Sequence, residues 1–273
     1  MNCNWVIPPG ELSNVIQSIN VFETYFCNDT YQLIMPNPTN GLIIQIGEPS
    51  YYSFDGINFT IFPKLYFALA SISKQSMLLK CNGSYKSILV IFKPGVLYNT
   101  FKFPLSECIE NPIVDAKYIL PKGTYLSLLR ITEDTTDKQD ITGSVATIIT
   151  QGCVSPTNAS ISRRATELLI AQEGKLSIVQ LSKMVNTTPR TLERQFKYEQ
   201  GTSPNSYARL VKHHAIIREI VASNQINWLD IIVKYNFHDK AHFIKDFKKI
   251  TGYSPSSYLK HTHTLDIETR LKF

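Results

Sequence analysis

Two short stretches of the chain gather residue types suited to holding a polyanion. In the first, Arg190, Glu193, Arg194 and Lys197 recur at three- and four-residue spacing, which on a helix puts them on one side, opposite Leu192 and Phe196. In the second, Ala241, Ile244, Lys245 and Lys248 lie opposite Phe243 and Phe247, with Lys240 in the first turn. Neither face holds a nucleophile with a base beside it. The chemistry open to them is hydrogen bonding to base edges and charge pairing with phosphates. A guanidinium reads guanine with two parallel hydrogen bonds, and an apolar side chain such as Ala241 or Ile244 meets a thymine methyl. Arg190, Glu193, Arg194, Ala241, Ile244 and Lys245 are therefore the expected base readers. Thr188, Lys197, Lys240 and Lys248 are expected on phosphates, where they supply salt-dependent affinity.

Such faces need rigid helices behind them, and the sequence writes the punctuation for those helices twice. F-K-x-x-x-G-x-S-P-x-S-Y runs from Phe196 to Tyr207 and again from Phe247 to Tyr258, an offset of 51 residues. Each copy reads as a helix ending at Gly201 or Gly252, then Ser203 or Ser254 capping a helix that begins at Pro204 or Pro255. Upstream of the first copy, Ser177 caps a short helix carrying Ile178, Leu181 and Val185, Asn186 takes the turn, and Thr188-Pro189 opens the next helix. Upstream of the second, Asn227 caps a helix with Trp228, Ile231 and Tyr235, Asn236 takes the turn, and Asp239 caps the helix after it. The upstream halves align at an offset of 50, so the second turn is one residue longer than the first. Pro204 to Ala222 reads as one long connecting helix, with Tyr207, Leu210, Val211, Ile217, Ile220 and Val221 for its packed sides.

From about Ile161 to Tyr258 the chain resembles the DNA-binding domain of the AraC/XylS family of bacterial transcription regulators. The resemblance rests on T-P-R-T-L-E-R-Q-F (188 to 196), N-F-H-D-K-A-H-F-I-K-D-F (236 to 247) and both G-x-S-P-x-x-Y tails. Asn236 stands where the family usually has glycine, and Ser182 and Ile232 where alanine is common; asparagine also adopts the left-handed turn conformation. The resemblance implies an α+β protein of two domains. An N-terminal β-rich cupin-like (jelly-roll) domain at 1–150 and a linker at 151–160 would precede an all-α domain at 161–260 holding two helix-turn-helix modules joined by a long helix. Residues 261–273 form a polar tail. The implied activity is sequence-specific DNA binding in transcription regulation, with double-stranded promoter or operator DNA as partner, and RNA polymerase if the protein activates. The N-terminal half is expected to take a small-molecule effector or to form a homodimer; the alternative is a protein-interaction domain without an effector.

Charge agrees independently. Residues 1–155 carry 10 Lys and Arg against 12 Asp and Glu, whereas residues 156–273 carry 18 against 10, which together give the net charge of +6. A polyanion partner is thus expected for the C-terminal half only. The N-terminal half has short apolar segments divided by Pro, Gly and Asn: Gly41 to Gly47, Asn58 to Phe62, Lys64 to Ile72, Met77 to Cys81 and Tyr85 to Phe92. These read as strands of a small barrel or sandwich. Val96 to Phe103 and Asn111 to Leu120 read as short helices, and Thr132 to Ser160 as partly linker, with a turn of helix at Val145 to Ile149. Tyr66, Phe67 and Phe92 are inward-facing aromatics, read as core before pocket, and no ligand residues are assigned.

Other chemistries find no support. All six histidines (His213, His214, His238, His242, His261, His263) lie in the C-terminal half, which excludes a histidine-ligated metal within the barrel. His238 and His242 have i, i+4 spacing, but Asp239 caps that helix, so phosphate contact or packing is the favoured reading over a metal. The five cysteines are scattered and contain no C-x-x-C pair. None sits in the Pro-Cys-His setting of the DNA-repair alkyltransferases that carry a similar DNA-binding module. No phosphate loop, G-x-S-x-G or H-E-x-x-H occurs. The chain is expected to be no enzyme, to need no metal or other cofactor, and to work in the cytoplasm without touching a membrane: its start has no signal-peptide character and no window is apolar enough to span a bilayer.

Overall fold

The computed structural model describes residues 2–6, 10–133, 141–152, 159–223 and 226–261. Among these, eight strands make one curled antiparallel sheet: β1 (Asn2–Val6), β2 (Ile16–Ile34), β3 (Asn40–Gln45), β4 (Tyr51–Ser53), β5 (Thr60–Ile61), β6 (Leu65–Ala68), β7 (Met77–Phe92) and β8 (Ile113–Asp115). The order is β1-β2-β7-β3-β6-β8, with β4 attached to the first part of β7 and β5 to β4. Every pairing is antiparallel. The helices among the described residues are α1 (Leu97–Phe101), α2 (Lys122–Glu133), α3 (Ile141–Gly152), α4 (Ile161–Ala171), α5 (Ile178–Met184), α6 (Pro189–Gln200), α7 (Pro204–Ala222), α8 (Trp228–Lys234), α9 (Lys240–Thr251) and α10 (Pro255–His261). The chain is thus a β-rich N-terminal domain followed by an all-α domain with two helix-turn-helix modules joined by α7.

The sheet has two buried faces, because side chains alternate along each strand. Leu42, Ile44, Phe67, Ile88, Val90 and Phe92 point into the larger core, which α1, α2 and α3 close with Leu97, Leu128, Ile131, Val145 and Ile149. Ile43 and Tyr66 face the other way, into a second cluster with Phe62, Met77 and Ile113. This double burial explains why G-L-I-I-Q-I-G does not alternate between apolar and polar, with Gln45 its one polar residue and itself buried. It also separates the three aromatics grouped from the sequence: Phe67 and Phe92 belong to the main core, while Tyr66 lies on the opposite face.

Several expected boundaries shift. The segments 77–81 and 85–92 are one strand, β7, and its long partner β2 was not anticipated. The two run in register except at Gln17, between Ile16 and Ser18, and where Cys27, Asn28 and Asp29 bulge between Phe26 and Thr30. Asn111 to Leu120 holds β8 and one 3-10 turn rather than a helix, because Ile113, Val114 and Asp115 pair with β6. The turn of helix expected at Val145 to Ile149 is the middle of a longer helix, α3, packed on α2 through those two residues. Residues 134–140 and 153–158, most of the remaining linker, and the tail beyond His261 lie outside the described residues. Val221 is 44% exposed rather than packed, while the other five apolar residues named for α7 are buried.

In the helical domain the local signals appear as read. Asn186 and Asn236 hold φ of 55° and 53° in the two turns, and Gly201 and Gly252 end α6 and α9 at φ of 68° and 80°. Ser177 forms a capping box with Gln180; Thr188, Ser203, Asn227 and Asp239 cap α6, α7, α8 and α9. The two glycine stops differ in surroundings. A Cβ on Gly252 would meet nothing within 4 Å, but one on Gly201 would lie 2.7 Å from the Leu105 carbonyl oxygen and 2.8 Å from Ile72 Cγ2. Gly252→Ala should therefore cost about 1 kcal/mol, the left-handed strain alone, and Gly201→Ala about twice that. Denaturant midpoints of the two variants check the ordering; equal losses would rule out the tight approach of the N-terminal domain to α6.

That approach is part of a broad contact between the halves. The Tyr207 hydroxyl donates to the Pro38 carbonyl at 2.7 Å, and Ser76 Oγ donates to the Ile250 carbonyl at 3.0 Å. Tyr98 meets Tyr198 edge to face with ring centroids 5.6 Å apart. Met35, from the loop after β2, is buried in the core of the second module beside Ile216, Phe247 and Tyr258.

Candidate nucleic-acid interface

Each module is a small core with an exposed helix on its outside. In the first, Leu192 and Phe196 of α6 pack with Ala165, Leu181, Val185 and Tyr207. In the second, Phe243 and Phe247 of α9 pack with Ile231, Ile232, Tyr235, Phe237 and Tyr258. The downstream offset of 51 makes the opposite faces equivalent residue for residue: Arg190 with Ala241, Glu193 with Ile244, Arg194 with Lys245, and Lys197 with Lys248. Arg190, Glu193, Arg194 and Lys197 are all exposed, as are Lys240, Ala241, Lys245 and Lys248. Ile244 is half-buried against the second module's core, because it borders the stripe that Phe243 and Phe247 turn inward. It presents an edge rather than a whole side chain.

Both helices begin beside the faces they offer. Thr188 Oγ1 accepts from the Thr191 backbone N–H and donates to Thr191 Oγ1, leaving the positive end of α6 and its exposed side chains on the outside. Asp239 accepts from the His242 backbone N–H at 2.7 Å. That bond, with one from His238, holds its carboxyl below the usual range. The His238 side chain is exposed before the first turn, and His242 packs its ring edge against Phe237. Among the described residues, no three His, Cys, Asp or Glu are grouped to hold a metal ion.

Sequence reasoning missed what anchors α9. His213, fully buried on α7, reaches Asp246 of α9 with Nε2 2.6 Å from Oδ2. Arg209 Nη2 lies 2.5 Å from the other carboxylate oxygen as a charge contact without hydrogen-bond alignment. Burial holds the His213 imidazole below its ordinary pKa of 6.5, offset only in part by Asp246. Burial works to raise Asp246, but the bond from His213 and the charge of Arg209 outweigh it, so the carboxylate stays ionised. The pair therefore ties a neutral imidazole to a carboxylate and sets the angle of α9 on α7. The 33-residue separation gives no periodic signal; only Asp246 on an otherwise basic helix hinted at it.

A pH dependence results. Burial, then the charge of Arg218, lowers His214 to about 4 from its ordinary 6.5. Both histidines are thus lowered in the fold, so below about 6.5 the unfolded chain binds more protons than the native one. Stability present above pH 6.5 should be lost progressively as pH falls towards 4. Unfolding midpoints at pH 7.5, 6 and 5 check this; a midpoint unchanged across that range would contradict it.

Residues 181–261 match the family model described as a helix-turn-helix domain. This is an AraC-type helix-turn-helix domain. Residues 5–113 match a model described only as a domain of unknown function. Over 93 residues the chain is 26% identical to YtdP of Bacillus subtilis (strain 168), described as an uncharacterized HTH-type transcriptional regulator. That match takes in 34% of this chain and 12% of YtdP, so the matched stretch is a small part of YtdP's length. Among solved structures, ToxT from Vibrio cholerae aligns over 89% of this chain and 97% of its own, at 9% identity and a TM-score of 0.45. The AraC-like transcriptional activator CuxR aligns over 80% and 86%, at 13% identity and a TM-score of 0.26. Among the described residues no helix is long and apolar enough to cross a membrane.

Proposed function

We propose that the protein is a sequence-specific DNA-binding transcription regulator and not an enzyme, divided at residues 151–160 between a controlling N-terminal half and the AraC-type domain. Arg190, Glu193 and Arg194 read bases in one major-groove segment. Ala241, Ile244 and Lys245 read the next, about one helical turn or ~34 Å along the same face of the DNA. Thr188, Lys197, Lys240 and Lys248 hold phosphates. The observation that carries this reading is the duplication: an outward face at equivalent positions recurs on the second helix of two modules, 51 residues apart, each fixed to its own core.

Selection of bound duplexes from a random pool by the full-length protein, at two salt concentrations, tests it. Enrichment of two short blocks about ten base pairs apart is the expected result. A steep salt slope with no enriched sequence would reduce the protein to a general DNA binder. Lys248→Ala should weaken all duplexes alike and lower the salt slope by about 1, as removal of one phosphate contact requires. A change in sequence preference with that variant would move Lys248 to the base readers.

The N-terminal half serves in this reading as the control element, through a small-molecule effector or through pairing of two copies, with RNA polymerase as a further partner if the protein activates. A second reading, in which this half is only a protein-interaction surface, has its own support. Tyr31, Tyr51 and Ile61 lie in register across β2, β7, β4 and β5 on either side of Lys80, and are 52%, 38% and 53% exposed. Sedimentation of the full-length protein separates pairing from a monomer; both belong to a cytoplasmic regulator.

A further inference from the structure

The second face of the sheet lines a partly open cavity of about 150 Å³ between β2, β3, β6 and β7. Its walls follow the strand alternation: Ile43 of β3, Tyr66 and Ala68 of β6, and Leu79, Ser87 and Leu89 of β7 all turn towards it. No Asp, Glu, Lys, Arg or His is among the residues that line it. Its polar groups are neutral amides and hydroxyls, among them Gln32, Asn37, Thr39 and Ser87. The groups that can ionise are held neutral: burial raises Tyr66 well above its ordinary range, and pushes Tyr85 and Cys81 up to about 12.

Transfer of an unpaired ion into such a wall is strongly unfavourable, whereas an apolar cavity of about 150 Å³ accommodates a benzene-sized molecule. Resting on the regulator reading, we propose that this cavity is the effector site and takes an uncharged molecule of about one aromatic ring with a single hydrogen-bonding group, excluding carboxylates, phosphates and amines. The position suits control. Asn37 and Thr39 line the cavity, while Met35 and Pro38 of the same loop face the helical domain, one inside the second module's core and one bonded to Tyr207 of α7. A ligand against this loop pushes on the segment that touches both modules.

Three probes of matched size test the proposal on the full-length protein, by ligand-observed NMR for affinity and by amide spectra of the isotope-labelled protein for the site: benzamide, benzoate and benzylamine. Benzamide should bind at least tenfold more tightly than either charged probe. It should shift the amide resonances of Gly41 and Ser87, and lose its binding in folded Ala68→Phe or Ala70→Leu, which fill the space. Charged probes binding as tightly, no binding by any of the three, or binding undiminished in both filled variants would overturn the proposal. The amide shifts keep the test decisive if neither variant folds, since their absence alone removes the cavity as the site. Selection of DNA by the same preparation is independent: a sequence-specific binder that ignores benzamide loses only this proposal, and the regulator reading stands.

Discussion

Phe247→Ala should destabilise the protein by about 3–5 kcal/mol, the usual loss for a fully buried phenyl ring that leaves a cavity. Phe247 is completely buried and meets Phe243, Tyr258 and His213 at centroid distances of 5.7, 5.6 and 6.1 Å. From α9 it therefore touches α7 and α10 at once, and Met35 lies in the same cluster. Collapse to fill the hole is opposed on every side: the His213–Asp246 pair fixes α7 against α9, and the Tyr258 ring is held in the same core. The loss should appear in denaturant unfolding of the whole chain, with α9 as the element that protects its amides least. A loss below about 1 kcal/mol would mean that the second module repacks freely. The exposed face of α9 would then be poorly fixed, which a base-reading helix cannot be.

Arg194→Ala should cost about 1–3 kcal/mol in operator binding and relax preference at one base pair, while leaving stability nearly unchanged. The side chain is exposed on the middle of α6, and its equivalent in the second module is Lys245. In the proposed reading a bidentate contact to guanine goes with the guanidinium, so the penalty should concentrate on duplexes carrying that base. Titration of parent and variant against the selected operator and its single-base changes measures both quantities. If Arg194→Ala bound its operator as tightly as the parent, the outward face of α6 would not be the reading face. If the variant weakened all duplexes equally, Arg194 would belong with the phosphate contacts.

What the sequence made legible is what neighbouring residues decide. Caps, glycine stops and turns depend on a few consecutive φ, ψ choices, and Ser203-Pro204, Asn186 and Gly201 each name theirs. The exposed faces of α6 and α9 come from helical period, once Phe196 and Phe247 fix the buried side. Strand β2 was missed because only its first half is packed; from Glu23 onward it becomes mostly exposed and polar, with Asn28 and Asp29 in a bulge. The bonds that fix the candidate site join residues remote in sequence. His213 and Asp246 are 33 apart, and Tyr207 and Pro38 are 169 apart. Nothing in local spacing names such partners, since each is chosen by the packing of whole elements. The Ser160 and Ser162 hydroxyls on the buried Glu199 carboxylate, which tie α4 to the end of α6, escape sequence reading for the same reason.

Met35 makes the seam between the halves in space differ from the seam along the chain. A chimera that joins a foreign N-terminal half at residue 160 would leave the second module with an empty notch, and Tyr207 without its carbonyl acceptor. Swapping N-terminal halves between such proteins would require carrying the 35–38 loop along with the helical half, or replacing it with a segment that presents an equally long apolar side chain. Inheritance by simple shuffling of coding segments is correspondingly constrained: here the two halves must change together at that loop.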